Sequence, residues 1–169
     1  MAHTCPQCGK EHEELPAMTF LTPAPYYWLS DGEKQTIATL TKDTCIIRNE
    51  DQTDYFIRAV MPMHLTDACH AFNYGVWVSL SEKSFNDYQT RDFDAEPEDV
   101  IYFGWLCNIP PQYEDTESIG TNVVVSNNKN RPIIYPHTEQ MHLPLVRDVY
   151  EGITLAEAKE RVLPSTKND

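Results

Sequence analysis

The chain has 169 residues, enough for one ordinary domain that buries roughly 70% of the surface its unfolded form exposes. Its 13 Lys and Arg against 26 Asp and Glu leave a formal charge of −13, which repels phosphate backbones and argues against direct nucleic-acid binding. Nine Tyr, six Phe and three Trp within a 41% hydrophobic fraction imply a packed core rather than disorder.

The first informative stretch is Cys5-Pro-Gln-Cys8-Gly9-Lys-Glu-His12. Two thiolates two residues apart grip one tetrahedral ion, Gly9 permits the positive φ that turns backbone N–H groups toward the sulfurs, and His12 offers a nitrogen. A redox pair would open a helix after a buried strand, and nothing strand-like precedes Cys5. Residues 1–15 are therefore expected to form a zinc knuckle, with zinc in a structural role. A closed site needs a fourth donor, for which Cys45, Cys69, His70, Cys107 and His3 are the candidates. The five cysteines are odd in number and lack the even spacing of a secreted disulfide scaffold. There is also no signal-peptide-like start, and no apolar run approaches the ~18 residues of a membrane span. A cytoplasmic protein, bound neither to membranes nor to nucleic acid, is the expectation.

Residues 16–28 hold prolines at 16, 23 and 25 and read as an extended arm; residues 29–169 form the body of a single domain. Ser30 caps a helix predicted to run to about Leu40. Asp43–Arg48 and Tyr55–Met63 read as a hairpin around the polar turn 49–54. Phe72–Leu80 alternates, with Val76, Val78 and Leu80 on one face and Trp77 and Ser79 on the other. Ser81 then caps a helix carrying Phe85 and Tyr88. The acidic run from Asp92 to Asp99 ends it, and lacks the glycine and terminal glutamate of a calcium loop. Ile101–Ile109, Thr121–Ser126 and Pro132–Tyr135 supply further strands. Pro144 starts a helix closed by Gly152, and Thr154-Leu-Ala-Glu157 is a capping box for the last one. The pattern is α+β: a mostly antiparallel sheet of about five or six strands with an inserted helix, C-terminal helices and the N-terminal knuckle.

Arg58, Trp77, Ser79 and Trp105 fall on strand faces opposite the core side, and an arginine beside two indoles suits an anionic or aromatic ligand. No nucleophile elbow, P-loop or dinucleotide glycine motif occurs. His12-Glu-Glu-Leu-Pro16 has proline where a zincin helix needs its second histidine.

Several segments together resemble the bacterial family called domain of unknown function 2199. They are Cys5-x-x-Cys8-Gly9-x-x-His12 with Pro16, Asp43-x-Cys45, Phe56-Ile-Arg58, Gly75-Val-Trp-Val-Ser-Leu-Ser81 and Phe103-Gly-Trp-Leu106. Pro110-x-x-Tyr113-x-x-Thr116, Arg131-Pro132 and Gly152-Ile153 complete the set. The resemblance implies no activity. It favours Cys45 as the fourth ligand, giving the expected set Cys5, Cys8, His12 and Cys45.

Two functional readings follow. The first is a non-catalytic binding or protein-interaction module whose acidity favours a basic protein partner. The alternative is a zinc-dependent hydrolase with an open position at Cys5, Cys8 and His12 and a base drawn from Glu11, Glu13 or Asp43. Thiol redox chemistry at Cys5 and Cys8 ranks third.

Overall fold

The computed structural model describes residues 2–6, 8–114 and 117–163. Alternating apolar runs become strands and capped polar runs become short helices. The first elements are β1 (Ala2–Thr4), β2 (Glu11–Glu13), β3 (Met18–Thr19), α1 (Ala24–Tyr27), α2 (Asp31–Thr36), β4 (Ala38–Leu40) and β5 (Thr44–Arg48). They are followed by β6 (Thr53–Met63), β7 (Phe72–Leu80), α3 (Glu82–Thr90), β8 (Val100–Leu106), β9 (Gly120–Val125) and β10 (Ile133–Pro136). A 3-10 turn at Thr138–Gln140, α4 (Pro144–Glu151) and α5 (Leu155–Val162) end the described chain.

β6 and β7 form the longest ladder, antiparallel from Tyr55 opposite Leu80 to Met63 opposite Phe72. β7 also pairs with β8 at Val78 and Ser79, β8 with β9, and β9 with β10. β10 then returns to β6 in parallel, Ile133 opposite Val60. The strands β6 to β10 therefore close into a barrel, which removes the exposed edges an open sheet would leave. Two pieces extend it: β5 with β4 along the first half of β6, and β3 in parallel beside Tyr74 and Gly75 of β7. A Cβ at Gly75 would lie 3.0 Å from the Thr19 hydroxyl, so the glycine lets the arm approach the barrel.

Strand parity divides the apolar residues into two cores. Ile57, Ala59, Met61 and Met63 of β6 and Phe72, Tyr74, Val76 and Val78 of β7 fill the barrel with Val123 and Ile134; Leu145, Val146 and Val149 of α4 pack against the same cluster. On the opposite face Cys45, Ile47, Phe56 and Trp77 form a second cluster, covered by Phe20, Tyr26, Leu29 and Ile37.

The α+β class and mainly antiparallel pairing agree with the sequence. The sheet has eight strands rather than about five or six, because β3 and β4 are too short to carry a periodic signal. The helix after Ser30 has its capping box with Glu33, but it ends at Thr36 instead of near Leu40. Ala38–Leu40 is drawn into pairing with β5, where the sheet edge satisfies its backbone.

A polar network joins the C-terminal helices to the barrel. Arg161 donates to the Tyr74 and Tyr113 hydroxyls at 3.0 Å each, and Tyr113 donates to Asp148 at 2.6 Å. The Arg161 side chain is only 12% exposed. Arg161→Leu leaves the Tyr74 hydroxyl without its donor and removes the cation that faces the Tyr113–Asp148 pair, and should lower stability in urea denaturation by about 3 kcal/mol. A loss below about 0.5 kcal/mol, the range of an ordinary surface change, contradicts that role.

Candidate metal centre and exposed faces

The cysteine hairpin is built from its turn. β1 and β2 pair with Thr4 opposite Glu11, and the connecting residues bring Cys5 N–H to the Lys10 carbonyl and Gly9 N–H to the Cys5 carbonyl, both at 2.8 Å. Gly9 has φ 69°, a left-handed value that costs glycine nothing and most other residues a steric penalty. Cys5 is thereby buried, while Cys8 stays exposed.

The third cysteine comes from the loop between β6 and β7. Leu65 is buried and bridges to Ile153, Thr66 N–H donates to the Ile153 carbonyl at 2.9 Å, and Asp67 accepts from Leu155 N–H at 2.7 Å. Gly152, at φ 96°, permits this docking; a Cβ there would meet the His64 carbonyl oxygen at 2.9 Å. The fastened loop delivers Cys69, and the sulfurs of Cys5, Cys8 and Cys69 lie within 4.8 Å of one another. Ligation to one zinc at about 2.3 Å would set sulfurs about 3.8 Å apart, so little adjustment separates this triad from a tetrahedral face. Hydrogen bonding to Cys8 and Cys5 pushes the Cys69 thiol up to about 12, a crowding that a cation relieves. The triad is a possible metal site.

The structure brings Cys5 and Cys8 together but takes Cys69 where the sequence pointed to Cys45. Alternation along β5 turns Cys45 toward Ile47 and Trp77, where it is fully buried and burial pushes its thiol up to about 11. Cys107 packs against the same cluster, its thiol raised to about 12 by burial. The side chains of His12 and His3 lie outside the described residues. His70 follows Cys69 with both ring nitrogens shielded from solvent. Cys69 sits in an aperiodic loop, Thr66-Asp-Ala-Cys69-His, and only its residue type marked it in the sequence.

The four ligand-face residues do not form one surface. Trp77 is wholly buried and donates its indole N–H to the Phe20 carbonyl at 3.1 Å. Arg58 lies against it, 5.9 Å from guanidinium carbon to ring centre, and donates to the Lys42 carbonyl. Ser79 is half-buried, and Trp105 belongs to a different surface.

That surface is the outer face of β8, β9 and β10. Ile101 and Ile133 flank Val124, and Phe103 and Tyr135 flank Asn122. Trp105 stands opposite Gly120, where a Cβ would strike the rings of His137 and Phe103 at 2.9 and 3.2 Å. Without that Cβ, Phe103 packs edge-on to Trp105 at 4.9 Å and against His137 at 5.5 Å. The exposures are 63% for Ile101, 48% for Phe103, 47% for Trp105, 40% for Ile133 and 41% for Tyr135, so the rows face solvent.

The fold and triad thus define a class: a closed α+β barrel with an N-terminal cysteine knuckle. Residues 4–153 match the family described as an uncharacterized protein conserved in bacteria, domain of unknown function 2199, and the chain belongs to it. No match is found among curated proteins or among solved structures. Among the described residues, no helix is long and apolar enough to cross a membrane.

If the triad holds an ion, Cys69→Ser should lower bound metal as severely as Cys5→Ser, by at least the ~10- to 100-fold in affinity that loss of an outer-shell partner costs. Cys45→Ser should leave metal content at the wild-type level. Elemental analysis after equilibrium dialysis reads both, and the reverse ranking would restore Cys45 to the site.

Proposed function

We propose that the protein is a non-catalytic interaction module, stabilised by structural zinc, that docks a basic protein partner on the outer face of β8–β10. The observation that carries this reading is the set of five large apolar side chains exposed in registered rows on that face. Isolated exposed apolar residues are ordinary, whereas contiguous aromatic patches mark interaction surfaces. The formal charge of −13 supports a partner whose rim is basic.

For the metal, three thiolates from Cys5, Cys8 and Cys69 with a fourth donor from His12, the nitrogen that the local spacing supplies, make a Cys3His set. That set is characteristic of closed structural zinc, while catalytic zinc keeps a position open for water. The hydrolase reading loses support accordingly, since Asp43, one of its proposed bases, is engaged by Arg131 at 2.7 Å. The odd number and uneven spacing of the five cysteines, unlike a secreted disulfide scaffold, support a reducing compartment such as the cytoplasm.

Affinity capture from a bacterial extract on immobilised wild type and on a Phe103→Ala/Trp105→Ala variant tests the interface. Wild type should retain a basic protein that elutes progressively as salt shortens the Debye length below ~8 Å, and the variant should not retain it. Identical retention by both contradicts the reading. Sedimentation showing a wild-type dimer that the variant converts to monomer contradicts it too, because the face then covers a second copy.

A further inference from the structure

The 13 basic side chains are not spread evenly over this acidic molecule. Lys42, Lys129 and Arg131 line one cleft of about 630 Å³ together with Asp43, Asn73 and Asn130; its floor is Val60, Pro62 and Ile133. Arg58 stands on the same face of β6 as Val60 and Pro62, two and four residues away. Five elements therefore converge here: the β4–β5 turn, the β9–β10 loop and the outer faces of β6, β7 and β10.

The turn that carries Lys42 and the Arg131 side chain are held in place. Thr41 accepts from Thr44 N–H at 3.0 Å, and Arg58 N–H donates to the Asp43 carbonyl at 2.9 Å, which ties the turn bearing Lys42 to the barrel. Arg58 is 9% exposed and donates to the Lys42 carbonyl at 3.2 Å. Its Nε is buried without a hydrogen-bond partner among the described residues. Asp43 accepts from Arg131 Nε at 2.7 Å, which leaves the two terminal guanidinium nitrogens of Arg131 without a partner among the described residues. Lys42 and Lys129 are exposed and make no ion pair with any described residue.

Three cations against one carboxylate leave two positive charges in the lining, the complement of a phosphate monoester dianion. An arginine fork with lysine point charges suits phosphate oxygens, and a cleft of this volume suits a small molecule with an apolar body on the floor. The net negative charge of the whole chain disfavours a nucleic-acid polymer there. We propose that this cleft is a binding site for a small organic phosphate, its phosphate held by Lys42, Lys129 and Arg131 and its body resting on Val60, Pro62 and Ile133. Burial and then the neighbouring Arg131 charge lower the pKa of the Arg58 guanidinium, a strain that a bound anion offsets. The site is separate from the metal triad, and it adjoins the outer β8–β10 face at Ile133, which borders both.

The test uses the full chain with phenyl phosphate as the probe, followed by amide chemical shifts in nuclear magnetic resonance and by calorimetry at low salt. The shifts should gather at Lys42, Val60 and residues 129–131, and phenyl phosphate should bind more tightly than inorganic phosphate. Lys42→Gln and Lys129→Gln, both surface changes, should each weaken binding by about tenfold, the loss of one charged hydrogen bond. Shifts scattered over other surfaces, equal affinity for inorganic phosphate, or undiminished binding in both variants would overturn the proposal.

Discussion

Around Phe56 and Trp77 the β6–β7 ladder is buried on both faces, and the rest of the molecule is arranged around that constraint. Its inward residues close the barrel, while its outward Phe56 and Trp77 must be covered by something else. The cover is the N-terminal arm and the α2–β5 region, and the contact is specific as well as apolar. Trp77 gives its indole N–H to the Phe20 carbonyl, and Asn108 accepts from the Trp77 backbone N–H at 2.9 Å while donating to the Thr22 carbonyl at 3.1 Å. Burying a tryptophan unpaired would leave its N–H uncompensated; this arrangement satisfies it and fixes the arm in one step.

The same ladder carries the candidate metal centre. Its loop is anchored at Leu65 and Thr66 by the junction of the C-terminal helices, so Cys69 is presented from a rigid base. The knuckle hairpin has little core to offer: of the residues in 2–14 whose burial is described, only Cys5 is buried. In the proposed site zinc binding supplies the folding energy that the hairpin lacks and crosslinks it to the barrel. The arm from Met18 onward is held independently by β3 and Trp77, so the metal's organising reach is confined to the hairpin and its link to the arm.

Much of this was legible in the sequence, for identifiable reasons. Long alternating segments such as Phe72–Leu80 and capped helices such as those begun by Ser81 and Thr154 contain their own instructions. Barrel closure was not legible, because it rests on a single short parallel contact between Ile133 and Val60. Nor was the displacement of Cys45 by Cys69. Alternation along β5 assigns Cys45 to the face of Ile47, but which face lies beneath Trp77 depends on where the arm crosses. The cationic cleft joins residues 42, 60 and 131 and exists only once β6 has been paired on both sides. The outer aromatic rows were half visible: Trp105 stood out as a surface candidate, yet its true neighbours are Phe103 and His137.

In the proposed site one metal is held jointly by the knuckle and the β6–β7 loop. X-ray absorption at the zinc edge of the purified protein counts its ligands directly. Three sulfurs at about 2.3 Å with one nitrogen at about 2.0 Å is the predicted shell. A shell of two sulfurs with nitrogen and oxygen donors would contradict it, since Cys69 would then lie outside the site and the knuckle would not be joined to the barrel through metal.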